Sequence, residues 1–255
     1  MGNPARRFVW LAIAVALLIT TSFLSLFAAT PTPPQDDPIA RAKKAYTAVK
    51  SYDAECWTVE RVNGKLKAEE RVRAVLVKQP WKMYFRWLPG GPHEGMQCSY
   101  VPSRDGANNY MGLEAGARGL IGAQRYAFDN ALINRLYPHQ QAIKNYHMGF
   151  LLERVETRTR QALKLGKLTI TDDGIKTNLI PGRQLHVYTG VLAKDYPPDP
   201  IDGARYWRTI VGYEVASGLP LYIETYTVDG QLFSRYKYMK FTANPAIDPN
   251  LFELK

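Results

Sequence analysis

The sequence predicts an α+β fold, with one long curved antiparallel sheet and helices packed against it. Three observations predict it. Apolar residues alternate with period two through a series of short consecutive segments. Tight-turn dipeptides such as Asn63-Gly64 and Asp229-Gly230 separate those segments. One helical stripe, Ile39, Ala42, Tyr46 and Val49, precedes the first of them and needs a surface to cover.

The helix comes first. Asp37 suits an N-cap and Pro38 the first helical position, where its missing N–H has no intrahelical partner anyway. From Tyr52 the period becomes two: Trp57 and Val59 share one face, Cys56 and Thr58 the other. After Asn63-Gly64 a return strand carries Val72, Ala74 and Leu76 on one face, with Arg71 and Arg73 opposite. Beyond Gln79-Pro80, Met83, Phe85 and Trp87 face one way and Lys82, Tyr84 and Arg86 the other. Pro89-Gly90-Gly91-Pro92 turns the chain into a fourth strand through Met96, Cys98 and Tyr100. Strands this closely spaced form an antiparallel meander.

The middle is looser. Residues 104–126 are rich in Gly, Asn and Ala and read as loop with short strands. Asp129–Leu136 reads as a short helix and Asn145–Val155 as a second, with Met148, Leu151, Leu152 and Val155 on one face. Strands return at Leu168–Ile170, Ile175–Ile180 and Gln184–Thr189, with turns expected at Asp172-Asp173-Gly174 and Pro181-Gly182. Asp195–Gly203 holds three prolines and reads as an exposed loop. Three further strands follow, Tyr206–Ala216, Leu221–Val228 and Gln231–Phe241, and the chain closes on Leu251-Phe252.

Ahead of this domain, Arg6 and Arg7 precede an apolar run from Phe8 to Phe27, broken only by Thr20, Thr21, Ser22 and Ser25. Positive residues before an apolar run of roughly 20 residues are the pattern of an export signal or of a retained membrane anchor. Ala28 and Ala29 suit cleavage, whereas Leu26 and Phe27 spoil a small-x-small site, so both readings stand for residues 1–29. Residues 30–36, with Pro31, Pro33 and Pro34, form a linker, and residues 37–255 a single domain. The expected location is outside the cytoplasmic membrane, either periplasmic or held at the outer face of the inner membrane.

Hydrophobic residues make up 46% of the chain and charged residues 22%, as in ordinary globular domains. The net charge of +10 suits either a solvated basic surface or an anionic membrane surface as a partner. Export disfavours nucleic acid. Cys56 and Cys98 form a candidate disulfide, permitted outside the membrane, or else remain two buried thiols. His93, His139, His147 and His186 are scattered without metal-ligand spacing, so no metal is expected. The sequence has no nucleophile turn, zinc-binding helix or phosphate-binding loop, so neither catalytic residues nor a cofactor are expected. His93, Glu94 and His186 read as surface or core residues rather than acid–base groups.

Two regions carry a family resemblance. The C-terminal run, strand, Gly218-Leu219-Pro220, strand, Asp229-Gly230, strand, then Asn244-Pro245 and Phe252, resembles the Lol-type lipoprotein carriers. The run Glu70-Arg71-Val72 through Lys78-Gln79-Pro80-Trp81-Lys82-Met83-Tyr84-Phe85-Arg86-Trp87, with Gly95-Met96-Gln97, Tyr100 and residues 131–156, resembles the bacterial domain-of-unknown-function family 1571. The resemblance implies that the curved sheet forms a half-open barrel with its helices on the concave side over an apolar cavity. It also implies a non-enzymatic envelope protein that binds a lipid or an acylated lipoprotein through acyl chains. Met83, Phe85, Trp87, Tyr222 and Tyr226 are the candidate cavity lining. An envelope protein-interaction or stress-sensing module on the same fold is the alternative, and an envelope hydrolase the third reading.

Overall fold

The computed structural model describes residues 37–102, 109–114, 124–127, 147–200 and 203–253. The expected export segment, the linker and the short helix at Asp129–Leu136 lie outside them. Among the described residues, no helix is long and apolar enough to cross a membrane.

The chain opens with helix α1, Pro38–Ala48, which buries Ile39 and Ala42. Strands β1 (Ser51–Val62), β2 (Lys65–Leu66), β3 (Glu70–Lys78), β4 (Trp81–Trp87), β5 (Gln97–Pro102), β6 (Asn109–Glu114) and β7 (Gln124–Ala127) follow. Helix α2, Met148–Lys164, leads into β8 (Leu168–Lys176), β9 (Leu185–Leu192), β10 (Tyr206–Glu214), β11 (Pro220–Thr227) and β12 (Leu232–Ala243). A 3₁₀ turn, Pro249–Phe252, ends the described chain. Asn63 and Gly64, both at positive φ, make the hairpin turn between β1 and β2, as the dipeptide predicts.

All twelve strands belong to one antiparallel sheet in the order β7-β6-β5-β4-β3-β1-β12-β11-β10-β9-β8, with β2 attached to β1. Two meanders are joined where the first strand meets the last, from Tyr52 opposite Ala243 to Glu60 opposite Ser234. The end strands β7 and β8 are not paired with each other, so the sheet curves without closing into a barrel.

Both helices cover one face, the concave one, and strand register shows what lies on it. In the first meander Cys56, Val72 and Trp87 stand opposite one another, then Ala54, Ala74, Phe85 and Cys98, then Tyr52, Leu76, Met83 and Tyr100. All are 8% exposed or less, and they form a continuous core with Met148, Leu151 and Leu152 of α2. At an upper bound of about 25 cal/mol per Å², burial of such apolar surface is the main term holding helix to sheet. The other face has a smaller cluster, where Val75 and Tyr84 meet Phe252 and the Ser99 hydroxyl donates to the Phe252 carbonyl at 2.6 Å.

Four sequence expectations are revised. Asp172-Asp173-Gly174 is a bulge inside β8 and not a turn: Gly174, at φ +71°, absorbs the extra residue and its N–H donates to Asp172 Oδ1 at 2.8 Å. Ile175–Ile180 is therefore not a separate strand; β8 ends at Lys176, and Ile180 is a fully buried anchor after it. Helix α2 runs on to Lys164, well past Val155, because its apolar face continues to a buried Ala162. The candidate disulfide is absent, since Cys56 and Cys98 are both free and buried. They lie on β1 and β5, three strand spacings apart or about 14 Å, and a bridge needs Cα atoms about 4.4–6.8 Å apart. Burial pushes both thiols well above their usual pKa, so they remain protonated.

Candidate ligand cavity

The second meander carries a different pattern on the same covered face. Gly190 of β9, Thr209 of β10, Thr225 of β11 and Ser234 of β12 stand opposite one another in one row. The adjacent row is Tyr188, Val211, Ile223 and Tyr236. The first row holds no side chain larger than threonine, so the sheet surface sinks between the tyrosines and the helices. A cavity of about 130 Å³ occupies the space.

Its walls are Ile39 of α1, Leu151 and Val155 of α2, and Leu168, Ile170 and Leu192 from β8 and β9. Ile170 is 46% exposed, which places the mouth at the β8 edge. On the floor, the Thr225 and Ser234 hydroxyls bond to each other at 2.6 Å, which satisfies both without a charged partner. The Tyr236 hydroxyl donates to buried Glu60 at 2.5 Å. Burial first, and then the Glu60 charge, holds the tyrosine pKa well above its ordinary value.

One part of the lining is charged. Arg154 and Arg158 sit one turn apart on α2, and both reach Asp199, whose side chain is 1% exposed. Arg154 Nη2 lies 3.2 Å from Asp199 Oδ2 and donates to the Tyr206 hydroxyl at 2.8 Å. Arg158 Nε lies 3.5 Å from the same oxygen, and its guanidinium stacks 4.7 Å over the Tyr196 ring. Asp199 is held by its own backbone: its N–H donates to the Ala204 carbonyl, and its carbonyl accepts from Gly203 N–H, both at 2.8 Å.

None of the five sequence-predicted lining residues borders this cavity. Met83, Phe85 and Trp87 are on the covered face but at the other meander, packed solid and no more than 6% exposed. Tyr222 and Tyr226 are on the opposite face. Tyr222 stands beside Lys237 and donates to Glu224 at 2.9 Å, while Arg208 stacks 4.1 Å over Tyr226. The neighbours on β11, Ile223 and Thr225, line the cavity instead. His93 Nδ1 is 2.7 Å from Glu70, which also accepts from Trp87 Nε1, and His186 Nε2 is 2.7 Å from exposed Asp172. Among the described residues, no group of three or more His, Cys, Asp or Glu is placed to hold a metal.

Sequence reasoning missed Arg154, Arg158 and Asp199. Two arginines at i and i+4 flanking an apolar stripe were the available signal. Asp199 lies between prolines in a segment that reads as solvent-exposed loop, and nothing local marks it as buried.

The model of the family described as protein of unknown function DUF1571 matches residues 49–255. This chain belongs to that family. No curated protein matches the sequence. Similar solved structures include the putative outer membrane lipoprotein-sorting protein domain from Vibrio parahaemolyticus, 11% identical over 84% of this chain and 95% of that one, with a TM-score of 0.39. The Mycobacterium tuberculosis lipoprotein LppX is 12% identical over 82% of this chain and 95% of that one, with a TM-score of 0.44. A chain of the Pseudomonas aeruginosa MucA/MucB complex is 14% identical over 86% of this chain and 60% of that one, with a TM-score of 0.44. The family named by the sequence resemblance is the one whose model matches.

Proposed function

We propose that this chain is an exported, non-enzymatic protein of the cell envelope that shields an acyl chain of a lipid or lipoprotein from water. The observation that supports it best is the cavity between the helices and the row of small residues on β9–β12, walled by aliphatic side chains and opening at an edge strand. Each buried CH₂ contributes about 0.8 kcal/mol, so even a partly inserted chain is held firmly. An apolar cavity of about 150 Å³ takes a benzene, and this one takes a chain segment of similar volume. A longer stretch requires the helices to lift from the sheet. Helix α1, which buries Ile39 and Ala42 and packs Ala45 and Tyr46 against the core, is the shorter part of that cover. The apolar run Phe8–Phe27 supports export, and Pro31, Pro33 and Pro34 suit an extended linker after a signal or an anchor.

Mass spectrometry of lipid extracted from protein purified out of native membranes tests the reading. Acyl lipid at a stoichiometric level is the expected result. Lipid-free protein that also leaves a fluorescent fatty acid unbound would defeat it. N-terminal sequencing of the native protein separates a shuttle, beginning near residues 29–35, from a tethered form that keeps Arg6 and Arg7.

A further inference from the structure

We infer that the cavity is matched to acyl chains that carry a carbonyl or hydroxyl oxygen partway along their length, and that Thr209, Thr225 and Ser234 read that oxygen. This rests on the acyl-binding reading above and names the chemistry of the chain. Ile170 of β8 stands opposite Gly190, Gly190 opposite Thr209, Thr209 opposite Thr225, and Thr225 opposite Ser234, and all five line the cavity. Along this row the apolar side chain is at the mouth and the hydroxyls lie inside. A plain alkyl chain entering there would seal the hydroxyls from water against CH₂ groups, which offer them no hydrogen bond.

Each of the three hydroxyls has one proton to give. The Thr225–Ser234 bond at 2.6 Å spends one proton of that pair, whichever residue donates, and the accepting hydroxyl keeps its own. Thr209 has no side-chain hydrogen bond among the described residues, so its proton is unspent as well. Ser234 is 5% exposed, and Thr209 and Thr225 are half-buried. A buried donor without an acceptor is costly, and an incoming carbonyl or hydroxyl oxygen removes that cost. Neighbouring strands are about 4.8 Å apart, so Thr209 lies roughly 10 Å and Ser234 roughly 19 Å inward of Ile170. A head that stays in water at the mouth holds its own carboxyl or ester short of Thr209, and the oxygen that meets the row belongs to the chain.

The test compares stearate, an oxostearate with its ketone at mid-chain and one with its ketone near the carboxylate, binding to the full-length delipidated protein. A ketone accepts hydrogen bonds and donates none, and burying it away from any donor weakens binding, so the sign of the difference is diagnostic. Mid-chain oxostearate is expected to bind about tenfold tighter than stearate. Thr209→Ser keeps that preference and Thr209→Val reduces it severalfold, a contrast that loss of packing alone does not give. Thr225→Val combined with Ser234→Ala removes part of it independently. The comparison of ligands in the parent decides the matter if a variant unfolds. Equal or weaker binding of mid-chain oxostearate overturns this inference and leaves acyl binding standing. A gain confined to the ketone near the carboxylate overturns it in favour of a ligand that enters head first. No binding of any of the three overturns it together with the proposed function.

Discussion

The two meanders share one covered face yet treat it in opposite ways. In the first, Phe85, Trp87, Met83 and Tyr100 are no more than 6% exposed and belong to one continuous core. In the second, Gly190, Thr209, Thr225 and Ser234 leave a cavity. Both meanders turn apolar side chains to the covered face, Val211 and Ile223 in the second as Leu76 and Met83 in the first, so such a pattern says where a core can form and not whether it is full. The filled half has no space for a ligand, and the hollow half has a cavity of about 130 Å³. That division agrees with the charges: Arg154, Arg158 and Asp199 are at the hollow half.

The largest break in this contrast is Phe85→Ala. At 2% exposure, the lost ring leaves a cavity in the filled half and costs about 3–5 kcal/mol in urea unfolding. Affinity for an acyl ligand, measured where the variant is still folded, stays within a few-fold of the parent. A fall in affinity comparable to the stability loss would show that the halves are not separate.

His147 tests the filled half through pH. It begins α2, where its Nδ1 accepts from Phe150 N–H at 3.2 Å and its ring packs edge-on against Trp81 at 4.8 Å. Burial, and secondarily the Lys78 charge, lower its pKa from 6.5 to about 4. The unfolded chain therefore takes up this proton first as pH falls. The stability from neutral His147 is fully present above pH 6.5 and is lost as pH drops through about 4, by up to about 3 kcal/mol. Stability curves of the parent and His147→Asn, which keeps a capping side chain, should converge towards acid. Parallel curves between pH 7 and 4 would show that the ring protonates freely in the folded state.

A matched pair of enlargements gives a smaller effect. Ala74→Leu, opposite Ala54 and Phe85 and 4% exposed, overpacks the filled half and costs about 1–3 kcal/mol. Thr225→Leu projects into the cavity and changes stability by less than about 1.5 kcal/mol, while acyl affinity drops at least tenfold. Thermal melts and ligand titration of both variants read the contrast directly. Equal destabilisation by the two would mean that the second meander has no usable space.

Much of this fold was legible along the chain. Alternation located β1, β3, β4 and β10–β12, because side-chain direction within a strand follows from its own backbone. Asn63-Gly64 and Asp229-Gly230 marked their turns because positive φ is a local demand. At Asp172-Asp173-Gly174 the same local signal misled, since whether a glycine turns a chain or bulges a strand depends on β9 alongside. Phe85 and Trp87 read as lining for a related reason: a large apolar residue on an inward face looks the same in sequence whether it bounds a cavity or fills one.

By itself, then, the sequence determined the strands, their two faces, the helical cover and the apolar N-terminal run, all written in spacings of a few residues. Only the tertiary structure decided which face the helices cover, that Cys56 and Cys98 stand three strands apart, and where the sheet is hollow. Gly190, Thr209, Thr225 and Ser234 come from four different strands, and Asp199 from a loop remote in sequence from Arg154. Their meeting depends on the register of β9 through β12 and on where α2 docks, interactions that exist only once the chain has closed upon itself.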